Sequence, residues 1–118
     1  LKVLVVEDNE INREIATFRL EKAGIAPTCA TNGKEGLEKA KEGTYDCILM
    51  DVMMPVMGGL EATRQLRAMG VDIPIIAMSA NAFKDDVERS LNAGMNAHLS
   101  KPIDEKLLVK TIYKFCKK

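Results

Sequence analysis

The feature that most narrows the possible folds of this chain is a repeated change in the spacing of its apolar residues. Short β-rich runs occur at 2–6 (KVLVV), 27–31 (PTCAT), 46–50 (DCILM), 74–78 (PIIAM) and 96–100 (NAHLS). Between them the spacing becomes helical. Ile11, Ile15 and Phe18 fall at i, i+4, i+7, and Ala62, Leu66 and Met69 do the same. Phe83, Val87 and Leu91 fall at i, i+4, i+8, and Leu108, Thr111, Ile112 and Phe115 at i, i+3, i+4, i+7. The segment 33–42 is weaker, with Gly36 inside it, but Asn32 and Glu35 have the spacing of a capping box. Gly24, Gly43, Gly70 and Gly94 each follow a helical stretch, where a left-handed C-terminal cap favours a residue without a Cβ.

Five strands alternating with five helices imply right-handed βαβ units and a doubly wound α/β fold, a parallel sheet covered on both faces. The continuously apolar runs VLVV and CILM suit strands buried on both sides. A chain of 118 residues, 47% hydrophobic and 29% charged, is expected to form one globular domain. Its 17 basic and 17 acidic side chains cancel, which argues against nucleic acid or a membrane surface as partner. No apolar run approaches the ~20 residues of a spanning helix. Cys29, Cys47 and Cys116 are odd in number and lack metal spacing, so they read as reduced thiols in a cytoplasmic setting. The chain opens at Leu1 directly before an apolar strand, from which we expect a module cut out of a longer protein.

In open parallel sheets, ligands bind beyond the carboxyl ends of the strands. The residues there are Glu7 and Asp8 after the first strand, Asp51 after the third, Ser79 after the fourth and Lys101 after the fifth. Two carboxylates about 4 Å apart repel by about 4 kcal/mol at an effective dielectric near 20. Three acids in one crevice therefore call for a proton or a cation, and a hard divalent ion such as Mg²⁺ or Mn²⁺ suits oxygen ligands. A cation, the Lys101 ammonium and the Ser79 hydroxyl around Asp51 form a site for phosphoryl transfer, with Asp51 as nucleophile on a rigid strand end. The turn containing Pro55, Gly58 and Gly59 is expected to clear space for a partner. Each residue also has an ordinary reading. Asp51 could be a strand-end turn residue, Glu7, Asp8 or Asn9 a helix cap, Ser79 the cap of the fourth helix, and Lys101 a solvated loop residue. Their coincidence at four strand ends favours the site. Met50, Met53, Met54 and Met57 read as packing, because thioethers are soft ligands.

The stretches VLVVEDNEIN, ILMDVMMPVMGG, PIIAMSA and HLSKPID stand in that order at the strand ends. Over residues 2–116 the chain thereby resembles the response-regulator receiver domain, the phosphoacceptor module of two-component and phosphorelay signalling. The resemblance implies a flavodoxin-like fold with strand order 2-1-3-4-5. It implies that Asp51 accepts a phosphoryl group from phosphohistidine. Asp8 and Asp51 would bind Mg²⁺ directly, Glu7 through water, and the Met53 backbone carbonyl would complete the protein ligands. Ser79 and Lys101 would contact the phosphoryl oxygens, and the Lys101–Pro102 bond would be cis. The chain departs from the pattern at His98, where the family's switch position usually carries Tyr or Phe. Its polarity leaves open whether it switches or is simply a partly exposed strand residue.

VEDNEINREIA together with AHLSKPID is most similar to receivers attached to hybrid sensor histidine kinases. That implies a kinase core and a histidine-phosphotransfer domain as partners, docking at Ile11, Asn12, Ile15 and the loop of Pro102. The parent could be membrane-anchored with this domain on the cytoplasmic side. No kinase ATP-binding motif lies in the chain. A stand-alone regulator is the alternative within the family. An aspartate-nucleophile phosphatase is the rival class, disfavoured because Met53 stands where its second acid should be. A flavin carrier of similar fold is disfavoured because the acids of VEDNEIN would repel a phosphate.

Overall fold

A computed structural model of the chain describes residues 1–43, 45–52, 57–79, 84–100 and 104–116, with the side chains of 84–86 and 116 excepted. The elements alternate as β1 (Lys2–Val6), α1 (Glu10–Lys22), β2 (Ala26–Ala30), α2 (Gly33–Glu42), β3 (Cys47–Asp51), α3 (Gly59–Ala68), β4 (Ile75–Ser79), α4 (Lys84–Asn92), β5 (Ala97–Ser100) and α5 (Glu105–Cys116). The sheet is parallel throughout, in the order β2-β1-β3-β4-β5. This is the expected doubly wound arrangement.

Strand alternation divides the interior into two cores. Val3, Val5, Cys47, Leu49, Ile76, Met78 and Leu99 pack with Leu20 of α1 and Leu108 and Ile112 of α5. Leu4, Val6, Ile48, Met50, Ile75 and Ala77 pack on the other face with Leu37 and Ala40 of α2 and Ala62 and Leu66 of α3. Each fully buried Leu or Ile contributes about 1.5–3 kcal/mol relative to exposure. These two cores hold the strand ends at fixed positions.

Several boundaries shift by one residue from those read in the sequence. Strands β3 and β4 run one residue beyond their apolar runs, so Asp51 and Ser79 are the last residues of strands rather than the first of loops. Asp51 pairs with Met78, and the Val52 N–H donates to the Met78 carbonyl at 3.0 Å. The ladder joins backbone groups, so a polar side chain need not end it.

Helix α1 turns its periodic apolar residues away from the core. Its periodic residues Ile11, Ile15 and Phe18 share a face, but that face is 67%, 44% and 66% exposed. The core contacts come from Leu20 and Ala16, with Ala23 just beyond the helix. Leu20 and small residues pack on the sheet, while Ile11, Ile15 and Phe18 point outward. Asn9 caps α1 by accepting from the Asn12 N–H at 3.0 Å, and Asn32 caps α2 by accepting from the Glu35 N–H at 2.8 Å. Gly24, Gly70 and Gly94 have φ of 80°, 82° and 110°, as a left-handed cap requires. Gly43 does not. Its φ is −103°, and a Cβ there would lie 2.5 Å from the Tyr45 ring, which would have to shift to admit it.

The amino edge of the sheet is tied by one guanidinium. Arg67 donates through Nε to the Gly94 carbonyl at 2.9 Å, through Nη1 to the Val71 carbonyl at 2.7 Å and through Nη2 to Asn96 Oδ1 at 2.9 Å. Asn96 in turn exchanges hydrogen bonds with the backbone of Ile75, at 2.9 and 2.7 Å. The starts of β4 and β5 are thus fixed to the end of α3. Burial lowers the Arg67 pKa below the usual guanidinium value, and the charge of Asp72 opposes that shift. Cys29 is half-buried and Cys47 buried, neither in a disulfide, while the Cys116 side chain lies outside the described residues. Among the described residues, no helix is long and apolar enough to cross a membrane.

Candidate functional site

The register of the central strands assembles the site. Val6 of β1 is level with Met50 of β3, and one further residue along each strand brings Glu7 level with Asp51. The Glu7 N–H donates to the Ala30 carbonyl at 3.1 Å, which carries the pairing with β2 past the end of β1. Glu7 and Asp51 are 1% and 4% exposed, whereas Asp8 is open to solvent. Glu7, Asp8 and Asp51 each place a carboxylate oxygen within 4.8 Å of the others. At that separation each pair of ionised groups repels by about 3 kcal/mol at an effective dielectric near 20.

Side chains from the first turn of α1 brace the acids against this repulsion. Arg13 Nη1 donates to the carbonyls of both Glu7 and Asp8, at 2.9 and 3.0 Å. Asn12 Nδ2 donates to Glu7 Oε1 at 2.8 Å. On the other side, α3 starts against the end of β3. The Gly59 N–H donates to the Val52 carbonyl at 3.1 Å. A Cβ on Gly59 would lie 2.2 Å from the Asp51 carbonyl oxygen and 2.9 Å from Met50 Cγ. Gly59 therefore cannot readily carry a side chain, while Pro55, in the same turn expected to clear space for a partner, lies outside the described residues. Gly58 and Gly59 are the cap and first residue of a helix packed directly on the strand that carries Asp51.

Ser79 closes β4, beside the Met78 that pairs with Asp51, and is 5% exposed. His98 is half-buried within β5, level with Ala77 and two positions short of the Ser79–Ser100 pair. It therefore stands back from the carboxyl edge. Lys101, Met53, Pro55 and the Lys101–Pro102 bond lie outside the described residues. Met50 is buried in the core and Met57 packs against it, as read from sequence, while Met53 and Met54 are outside the described residues.

The donor set fits a hard divalent cation. Three carboxylates converge, two of them shielded from water and one at the open side, which leaves room for the waters that Mg²⁺ retains in its octahedral shell. The two groups the sequence reading did not single out as supports are Asn12 and Arg13. Both lie in VEDNEINR, one turn after the acids. A charge-based reading would send Arg13 to a carboxylate. Instead it goes to backbone carbonyls, because the first turn of α1 folds back over the end of β1.

Comparison with known proteins fixes the family. The family model for the response regulator receiver domain matches residues 3–113. The chain belongs to that family. This receiver is 44% identical over 120 residues to hybrid signal transduction histidine kinase I of Dictyostelium discoideum, covering 94% of the chain but 7% of that protein. It is 37% identical to the receiver domain of sensor histidine kinase PA1611 from Pseudomonas aeruginosa PAO1, solved with a magnesium ion coordinated in the active site cleft; the TM-score is 0.91 and coverage is 99% of this chain and 98% of that one. It is 33% identical to the receiver domain of the Saccharomyces cerevisiae response regulator Ssk1, solved with the histidine phosphotransfer protein Ypd1; the TM-score is 0.93 and coverage is 98% and 88%. The chain is thus a receiver domain of two-component signalling.

Proposed function

We propose that this receiver takes a phosphoryl group from a phosphohistidine onto Asp51 in a reaction dependent on Mg²⁺ or Mn²⁺. The observation that carries the reading is the convergence of Glu7, Asp8 and Asp51 within 4.8 Å at the end of the central strand. Asp8 and Asp51 would hold the cation with the Met53 carbonyl, and Glu7 would act through a water. When bound, the ion offsets the like charges and the charge that develops on the transferring phosphoryl oxygens. An oxygen of Asp51 attacks phosphorus while the N–P bond to the donor imidazole breaks. The electron pair stays on the imidazole nitrogen, and an acyl phosphate forms. Ser79 and Lys101 would donate to the phosphoryl oxygens and move toward them, biasing the adjoining loops between two states. His98 lies on the strand that would respond, and its switching role is part of the same proposal.

The partner is a histidine kinase core or a histidine-phosphotransfer domain. The exposed stripe of Ile11, Ile15 and Phe18 beside the site offers it an apolar docking surface. The similarity to hybrid kinases supports a parent of that kind, with this domain in a reducing, cytoplasmic setting that suits the unbridged thiols of Cys29 and Cys47. A phosphotransfer protein labelled on histidine, mixed with the chain and Mg²⁺, tests the reading. Label should pass to the wild type and not to Asp51→Asn. Equal labelling of that variant would contradict it.

A further inference from the structure

Glu7 poses a problem that the sheet alone does not solve. Its backbone is fixed by the Ala30 carbonyl and by Arg13, but neither bond determines where the side chain points. A Glu side chain has three rotatable bonds and loses rotamer freedom when held in one arrangement. Repulsion from Asp8 and Asp51 acts in the same direction, away from the cluster. Yet Glu7 is almost wholly buried, with a carboxylate oxygen among the other two acids.

We infer that Asn12 is a positioning residue of the cation site, whose side-chain amide fixes the Glu7 carboxylate facing Asp8 and Asp51. The contact is a 2.8 Å hydrogen bond from Asn12 Nδ2 to Glu7 Oε1. Asn12 is itself held, because it stands in the first turn of α1 and its backbone N–H is bound by the Asn9 cap. The chemistry of the donor matters. A lysine at this position would orient Glu7 equally well, but its charge would offset the negative potential that attracts a cation. A neutral amide orients the carboxylate and leaves that potential intact. Bonds that orient the ligands themselves typically change metal affinity by about 10–100-fold when removed, and because Glu7 would act through a water the low end of that range applies to Asn12.

The inference rests on the acid cluster being a cation site, and the experiment separates the two. Mn²⁺ affinity is measured on the full 118-residue chain by electron paramagnetic resonance of the free ion. The variants are Asn12→Ala, the near-isosteric Asn12→Leu, Glu7→Gln and the double Asn12→Ala/Glu7→Gln. Both Asn12 variants should raise Kd by about 10-fold, at the low end of the outer-shell range. In the Glu7→Gln background, Asn12→Ala should add little, because the group it orients has changed. A purely structural role would not produce that coupling. Wild-type Kd in both Asn12 variants, with Glu7→Gln weakened, would overturn the inference alone. An equal loss in both backgrounds would also overturn it, by showing that Asn12 does not act through Glu7. No Mn²⁺ binding by the wild type would instead remove the cation-site reading on which the inference stands.

Discussion

The two edges of the sheet handle charge in opposite ways. At the amino edge, Arg67 spends its donors on two carbonyls and an amide oxygen, and ties the starts of β4 and β5 to the end of α3. At the carboxyl edge, three acids are brought to within 4.8 Å of one another. The first arrangement matches donors to acceptors and stabilises the fold. The second gathers like charges, an arrangement that the proposed function would turn to use when a cation and a phosphoryl group arrive. The same strands support both, so the rigidity provided at one edge helps to hold the strained chemistry at the other.

Substitutions at each edge should therefore separate function from stability. The largest effect is expected from Asp51→Asn, which should abolish phosphoryl uptake while leaving the fold intact, as checked by labelling and by thermal unfolding. With divalent ions chelated, the variant should be as stable as the wild type or more so, since one of three like charges is gone. Arg67→Ala should do the reverse. It strands acceptors that are held by a charged donor, and should cost about 2–4 kcal/mol in urea unfolding while leaving Mn²⁺ affinity near that of the wild type. Gly59→Ala crosses the division. A Cβ 2.2 Å from the Asp51 carbonyl oxygen forces the helix or strand to move, so it should lose about 2 kcal/mol by urea unfolding and weaken Mn²⁺ binding as well.

The smallest effect concerns a pair of charges away from either edge. Glu35 is held below its usual pKa of 4.5, first by the Thr31 hydroxyl and then by Lys39, with burial opposing them. A depressed carboxylate contributes stability above its unfolded-state pKa, and the contribution disappears as pH falls through the folded value. The side chain is 38% exposed, so water screens the effect to less than about 1 kcal/mol. Unfolding midpoints followed from neutral to acid pH should fall slightly less steeply for Glu35→Gln than for the wild type.

Much of this was legible in the sequence because parallel strands leave a simple record. VLVV and CILM are buried from end to end, and the residues that follow them must lie at one edge. The acids Glu7, Asp8 and Asp51 could be brought together from that rule alone. The orientation of α1 could not. The spacing of Ile11, Ile15 and Phe18 identifies a helix and a shared face, but not which way the face points. That depends on Ala16 and Leu20 fitting against the sheet. The Arg13 and Asn12 contacts were hidden for a related reason. They depend on how the first turn of α1 lies over the end of β1, a tertiary relation with no periodic signature. Gly43 shows the same limit, since a glycine after a helix can lie against a neighbouring ring without having a left-handed φ.

The most direct test is to locate the phosphoryl group. The chain is incubated with acetyl phosphate, with Mg²⁺ or with chelator, and the modified residue is mapped by peptide mass spectrometry. The account predicts a single phosphoryl group, on the peptide containing Asp51 and only when Mg²⁺ is present. Modification at another residue, or equal uptake in chelator, would contradict it.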